Sequence, residues 1–342
     1  MSKVTVNDIA LRLNIAQGTV SKALGNKKGV GEELRTRILE TAEEMGYEAN
    51  KLAQGLARKP LRVCYIRPDI WNSFYRFMDE GIQNRLSVYA DYKIELEQMG
   101  LSKFNCEEEL DACIDKCIKA QADVALIAPV YNAYSKSSIR KLKEKGIPYI
   151  LLGTDLQDGD PHNCICIDAE CAGAMAAQLA CLVMRNSRKA VVLIGNQDMQ
   201  EHRLKKESFI KTLKDSGCSI AGSYDTMDIP AIASIITETL VTQTPDLEMI
   251  YVATSNSIAV CERLEKLDPE KKTRIIATDL FEDMLPYLES GRIIATVYQN
   301  PRLMGEMAME KAFSIMFNSE HTFATDYIRP ELILPANMRK YL

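Results

Sequence analysis

The sequence predicts a small all-α headpiece carrying a helix-turn-helix, followed by an α/β body of doubly wound parallel sheets. Three observations carry that expectation. Apolar residues recur at helical spacing across a short break within the first 25 residues, and short β-rich runs alternate with helical stretches from Leu61 onward. The chain has 342 residues; less about 60 for the headpiece, it leaves room for a pair of domains at the usual ~150 residues each.

In the headpiece, Val6, Ile9, Ala10 and Leu13 fall on one side of a first helix, and Asn14-Ile15 suits a tight turn. Val20 with Ala23 or Leu24 gives a second helix its buried side, which leaves Gln17, Gly18, Ser21 and Lys22 facing outward. An amide and an amine on the early turns of a second helix suit major-groove base edges, while Thr5, Thr19 and Ser21 can reach phosphates. A third helix is predicted over Glu32 to Met45, with Leu34, Ile38, Leu39, Ala42 and Met45 on its apolar side and Gly46 placed to end it. Residues 1–59 hold 10 Lys or Arg against 7 Asp or Glu, so from a chain total of −5 the remainder carries −8. A mildly basic head on an acidic body fits DNA contact confined to one end.

Between headpiece and body, Asn50 can cap a helix that Pro60 must stop, leaving about nine residues, and a helix below ~12 residues is marginal alone in water. The body then offers strands near Val63 to Ile66, Ile94 to Glu97, Val124 to Ala128, Tyr149 to Leu152, Ile165 to Ile167 and Val191 to Ile194. Further strands are expected near Ile220 to Tyr224, Ile250 to Ala253, Ile275 to Thr278, Ile293 to Val297 and Leu332 to Leu334. Hydrophobic content of 46% with few aromatics fits a well-packed body. The start lacks an apolar signal core and no run approaches 18 apolar residues, so the expectation is a cytoplasmic protein without membrane spans. The ten Cys show no zinc-ribbon spacing, and Cys171 and Cys181 sit in an apolar helical stretch, so buried free thiols are expected, with no metal and no cofactor. Three His, no phosphate-cradling loop and no metal-ligand cluster argue against an enzyme.

The residues Val4, Thr5, Asp8, Ala10, Thr19, Val20, Ser21 and Leu24 match in register the pattern V-T-x-x-D-V-A followed by V-S-x-x-T-V-S-R-x-L-N. On these the chain resembles the lactose-repressor and galactose-repressor (LacI/GalR) family of bacterial transcription regulators. Tyr47, Asn50, Ala53 and Leu56 fit the hinge spacing of that family. The resemblance implies a sensor of the type I periplasmic-binding-protein fold, with two doubly wound parallel-sheet subdomains. Pro68 to Tyr75, Asp123 to Ile127, Gly146-Ile147-Pro148, Ile167-Asp168 and Ile294 to Gln299 are similar to landmarks of such sensors. The implied layout is a headpiece over 1–47, a hinge over 48–60 and a sensor over 61–342. Its N-subdomain would comprise about 61–160 and 293–322, and its C-subdomain about 161–292 and 323–342.

The resemblance places DNA contacts at Thr5, Ala16, Gln17, Gly18, Thr19, Ser21, Lys22 and Asn26, and at Tyr47, Asn50, Ala53, Gln54 and Leu56 around the hinge. Leu56 matches the residue that wedges between base pairs. Ala16 stands where a Ser normally caps the recognition helix, at a cost of roughly 1 kcal/mol. Lys22 replaces Arg and loses its bidentate fork.

In open parallel sheets a ligand binds beyond the carboxyl ends of the strands. The loops there supply Trp71, Asn72, Phe74 and Tyr75, then Tyr131, Thr154 and Asp155, then Arg203, Lys205 and Asn256, and finally Asp279 and Gln299. Flat aromatics beside amides, carboxylates and cations form a carbohydrate-like inventory. Asn72, Phe74, Asp279 and Gln299 match positions that commonly touch ligand in the family. Gly153 occupies a place where sugar-binding relatives often have Asp, Ser255-Asn256 replaces a frequent Asn-Asp pair, and Lys205 stands where an Arg commonly clamps the ligand, with Arg203 as a substitute.

The implied function is a sequence-specific transcriptional regulator, a repressor, that binds a pseudo-palindromic operator as a homodimer. Its two headpieces would lie ~34 Å apart. A small polar effector, a sugar or sugar derivative, would control it by altering the hinge helices as the subdomains close about crossovers near residues 160, 292 and 323. One alternative is a regulator whose sensor answers mainly to a protein partner or a non-sugar metabolite; a remoter one is a solute-binding protein.

Overall fold

The computed structural model describes residues 4–25, 28–45, 47, 60–69, 73–102, 106–128, 131, 135–156, 160–317 and 322–341. They fall into two compact units, Met1–Pro60 with Tyr89–Lys93, and Leu61–Val88 with Ile94–Leu342.

The first unit is a three-helix headpiece. Helix α1 (Val6–Leu13) opens with a capping box, in which the Asp8 backbone N–H donates to Thr5 Oγ1 at 3.4 Å and the Thr5 N–H donates to Asp8 Oδ2 at 2.8 Å. The Thr5 hydroxyl also donates to Asp8, and these bonds hold the carboxyl below its ordinary range. Asn14, in the left-handed region at φ 52°, closes α1. Helix α2 (Gln17–Leu24) starts at Ala16 with no side-chain cap, as the missing Ser foretells. Helix α3 (Glu32–Glu44) completes a core of Ile9, Ala10, Val20, Ala23, Ile38 and Ala42. Leu39, expected on the buried side, is exposed; Thr41 is buried in its stead, since Ile38, Thr41 and Ala42 already fill the inward stripe. The inferred hinge residues Asn50, Ala53, Gln54 and Leu56, with Asn26 and Gly46, lie outside the described residues.

The second unit holds two six-stranded sheets. The first is ordered β2-β1-β3-β4-β5-β11, from β1 (Leu61–Pro68), β2 (Ile94–Leu101), β3 (Val124–Ile127), β4 (Tyr149–Gly153), β5 (Asn163–Ile167) and β11 (Thr325–Ile328). All its pairings are parallel. The second is ordered β7-β6-β8-β9-β10-β12, from β6 (Lys189–Ile194), β7 (Ser219–Asp225), β8 (Met249–Val252), β9 (Arg274–Thr278), β10 (Ile293–Tyr298) and β12 (Glu331–Ile333). Only β12 runs antiparallel, against β10. Central strands β3 and β8 are buried at every residue, as expected for strands covered on both faces, while the edge strand β7 is mostly open. Every predicted strand is present; β11 is the one that sequence reading missed.

The helices follow as α4 (Ser73–Val88), α5 (Glu107–Lys119), α6 (Ser135–Glu144), α7 (Ala169–Val183), α8 (Gln200–Asp215), α9 (Pro230–Gln243), α10 (Ser257–Leu267), α11 (Leu285–Glu289) and α12 (Pro301–Phe317). Each sheet has apolar core on both faces. Helices α4 and α12 approach closely because Gly81 and Gly305 face each other's backbones; a Cβ on Gly305 would fall 2.1 Å from the Met78 carbonyl oxygen. Two inferences are corrected here. The crossovers do not fall near 160, 292 and 323, because β5 and β11 pair within the first sheet and β10 within the second. The chain therefore crosses after Ile167, after Tyr298 and after Ile328. The two thiols expected to be buried on α7 are not: Cys171 is exposed and Cys181 half-buried, because α7 turns its small Ala and Gly residues inward. Among the described residues no helix is long and apolar enough to cross a membrane.

Candidate functional site: an acidic cleft and an outward helix face

In the headpiece, burial of Val20 and Ala23 fixes the roll of α2 and leaves Gln17, Gly18, Ser21 and Lys22 exposed, with Thr19 half-buried. Ala16 and Thr5 stand at the starts of their helices, and Tyr47 is half-buried against the headpiece core.

In the second unit, a cavity of about 730 Å³, counted to its open mouth, lies at the carboxyl ends of the strands of both sheets. Phe74 and Tyr75 enter from the start of α4, Leu152 and Gly153 from the end of β4, and Glu201, His202 and Lys205 from the first turns of α8. Asp228 follows β7, Thr254 and Ser255 follow β8, Asp279 follows β9 and Gln299 follows β10.

A chain of polar contacts joins these elements. The Lys205 ammonium, 1% exposed, pairs with the Glu201 carboxylate one helical turn back and donates to Gln299 Oε1 at 2.9 Å. Gln299 is thereby oriented: its Nε2 donates to Asp279 Oδ2 at 2.7 Å and its backbone N–H donates to Oδ1 at 3.2 Å. Burial pushes the Asp279 carboxyl up to about 6, against the pull of the Lys205 charge and the two bonds from Gln299. Asp279 also sits at φ 62°, a left-handed conformation uncommon for a residue with a side chain. His202 Nδ1 accepts from the Asn196 backbone N–H at 2.9 Å, which leaves the ring proton on Nε2, 3.4 Å from Glu201 Oε2. The Thr254 hydroxyl donates to Asp228.

Of the inferred effector residues, Phe74, Tyr75, Lys205, Asp279 and Gln299 line this cavity. Trp71 and Asn72 lie outside the described residues. Thr154 and Asp155 line a second cavity of about 720 Å³ that shares Glu201 with the first; Asp155 is held there by His162 Nε2 at 2.6 Å. Arg203 does not substitute for Lys205, because it lies one face over on α8 with Glu207 3.8 Å away. Asn256, 4% exposed, spends its amide on Thr226 Oγ1 at 3.0 Å, and Tyr131 is buried outside the lining. Sequence reasoning left out Glu201, Asp228 and Thr254. Glu201 had a signal in its i,i+4 spacing to Lys205, whereas Asp228 reaches the cavity through a left-handed turn at φ 55° that nothing in its neighbours announces. Among the described residues, the lining carries three carboxylates, Glu201, Asp228 and Asp279, against the one ammonium of Lys205.

Residues 5–50 match the bacterial regulatory proteins of the lacI family, and residues 63–319 match the periplasmic binding protein domain. The chain belongs to the lacI family, with a periplasmic binding protein domain as its body. Among curated lacI-family relatives, it is 27% identical over 224 residues to catabolite control protein A of Priestia megaterium, covering 65% of this chain and 64% of that one. It is 25% identical over 215 residues to the transcriptional regulator GntR of Pseudomonas aeruginosa, covering 63% and 60% respectively. The matched stretch thus spans less than two thirds of either relative. Both carry the names of regulatory proteins. The fold of the body is shared with GanP, a glucose-galactose binding protein from Geobacillus stearothermophilus, at a TM-score of 0.75 and 19% identity over 82% of this chain and 99% of that one. It is shared likewise with a solute binding protein from Burkholderia graminis in complex with D-arabinose, at 0.76 and 19% over 83% and 98%.

Proposed function

We propose that this protein is a cytoplasmic, sequence-specific DNA-binding repressor that acts as a homodimer on a pseudo-palindromic operator under control of a small polar effector, a sugar or sugar derivative. The observation that carries the DNA half is the roll of α2: burying Val20 and Ala23 turns Gln17, Gly18, Ser21 and Lys22 outward together. The cleft supports the effector half, since it draws residues from both sheets and from helices on either side of the crossovers. A ligand that bridges the two sheets binds the closed arrangement better than the open one, and that difference in affinity is what biases the hinge and the DNA-competent state. Leu56 is the proposed minor-groove wedge of that hinge. Open apolar side chains at the end of edge strand β7 and along α9, among them Met227, Ile229 and Ile235, support pairing with a second copy.

The acidic lining favours an effector without negative charge. Titrating thermal stability with monosaccharides, polyols and nucleosides, each beside its phosphorylated or carboxylated counterpart, tests this. Operator duplex selected from random DNA is then titrated with and without the stabilising compound. The reading expects an uncharged compound to stabilise the chain and to shift operator affinity at least tenfold. Stabilisation with no change in operator affinity would sink the regulatory half, and a response to a protein partner alone would move the input away from the cleft.

A further inference from the structure

Ten cysteines are free, and most are buried in the sheet cores where a thiol behaves as a small apolar group. Solvent reaches three, Cys106, Cys171 and Cys181. Two of these sit beside carboxylates: Cys106 Sγ lies 3.3 Å from Glu108 Oε2, and Cys171 is pushed up by burial and by the charge of Asp168. The Cys106 thiol donates to its carboxylate, and the charge of Asp168 disfavours a thiolate at Cys171, so neither is set up to react.

Cys181, on the last turn of α7, has different surroundings. Its Sγ is 2.8 Å from Sγ of Cys218, which follows α8 and precedes β7. Cys218 Sγ in turn accepts from Arg188 Nη2 at 3.1 Å. The guanidinium is held in place from both ends. Its Nη2 also donates to the Ser216 carbonyl at 3.2 Å, and the Arg188 backbone N–H donates to Glu248 Oε2 at 2.7 Å in a left-handed turn at φ 53°. Glu248 organises that turn by accepting from the N–H groups of Arg185, Asn186 and Arg188; burial raises its carboxyl, but these bonds bring it below its ordinary value. Burial and the contact with Cys218 push the Cys181 thiol up to about 11, against the pull of the Arg188 charge.

We propose that Cys181 and Cys218 form a reactive dithiol, a modification site outside the effector cleft, which a hydroperoxide converts to an intramolecular disulfide with Arg188 as its positioning residue. Cys181, the sulfur of the pair that solvent reaches, attacks the peroxide as its thiolate; the O–O bond breaks, water or an alcohol leaves once protonated, and Cys181 is left as a sulfenic acid. The Cys218 sulfur, beside the Arg188 guanidinium, then attacks Cys181 Sγ, its proton leaving with the displaced hydroxide as water. Two thiols and one hydrogen peroxide thus give one disulfide and two waters.

The test treats the full chain with one equivalent of hydrogen peroxide, alkylates the remaining thiols, and maps cross-linked peptides by fragmentation. The expected result is a Cys181 to Cys218 cross-link that precedes oxidation at any other cysteine. Arg188→Ala should slow its formation at least threefold and Arg188→Lys should restore most of the rate, through thiolate stabilisation. Cys218→Ser should leave Cys181 as a sulfenic acid that dimedone traps. Separate alkyl groups on Cys181 and Cys218 after treatment, or prior oxidation of Cys106 or Cys171, would overturn the proposal; the unmodified sequence alone decides that point if a variant does not fold.

Discussion

The backbone of Lys205 rests on Gly173: a Cβ at Gly173 would fall 2.2 Å from the Lys205 carbonyl oxygen. The close approach of α7 and α8 therefore sets where the cleft's one ammonium stands. Gly173→Ala should push the helices apart, cost about 1–3 kcal/mol of stability by overpacking, and weaken effector binding at least tenfold. Thermal unfolding and calorimetry on the same preparation check this. Normal affinity in a destabilised variant would show that α8 can shift without carrying Lys205 off station.

The Glu201 and Lys205 pair is nearly wholly buried, with side chains 8% and 1% exposed. Lys205→Met strands a buried carboxylate and should cost about 3–5 kcal/mol. Adding Glu201→Leu removes the stranded charge, so the double variant should recover stability yet fail to bind effector. Denaturant unfolding of the four chains in the cycle, with effector titrations, reads both quantities. A double variant that binds normally would remove the pair from ligand recognition.

Asp279 carries a pH signature. Its folded-state carboxyl is raised to about 6 from an ordinary 3.8, so its contribution to stability is fully present below pH 3.8 and is lost as pH rises through 6. Asp279→Asn should therefore stabilise the effector-free protein at pH 8, by at most about 3 kcal/mol, and narrow the stability difference between pH 5 and 8. Effector binding should run the opposite way, strengthening as the carboxylate forms and able to accept ligand hydroxyls. Unfolding curves at pH 5, 6.5 and 8 for both chains, beside effector titrations, settle the sign; an unchanged pH profile in the variant would mean that another group titrates.

DNA recognition and effector binding should separate by mutation. Lys22→Ala should weaken specific operator binding by about 1–3 kcal/mol, and Leu56→Ala should do so by removing the wedge, each with effector affinity nearly intact. Equal loss of both activities in the Leu56 variant would show that the hinge has been misplaced. Anisotropy with labelled operator and calorimetry with effector are the two readouts.

Most of the architecture was legible because its signals are local. The Val20 and Ala23 spacing fixed which face of α2 is open, and fully apolar runs such as Val124 to Ile127 marked strands covered on both faces. Strand β11 was missed because Thr325-Asp326-Tyr327 reads as polar loop; it forms a strand through pairing with β5, 161 residues away in sequence, from Thr325↔Cys164 to Ile328↔Ile167. The crossovers were misplaced for the same reason, since sheet membership is a long-range property. At the cleft, residues directly following strands, Asp279 and Gln299, were found, while Arg203 and Lys205 could be told apart only once the roll of α8 was known. Asp228 depends on a backbone conformation that its residue type does not demand.

The three crossings give the chain an order of assembly. Residues from Asp168 to Asn300 form one continuous stretch of the second sheet's subdomain, but the first sheet waits for α12, which covers Met78 and Ile82, and for β11 to extend its edge. Those pieces leave the ribosome more than 200 residues after β1, a delay of roughly 10–50 s at ordinary rates of synthesis. Through that interval the headpiece is already made while half of its proposed sensor lies open, which marks the β1 to β5 sheet as the part of the nascent chain most in need of shielding from its neighbours.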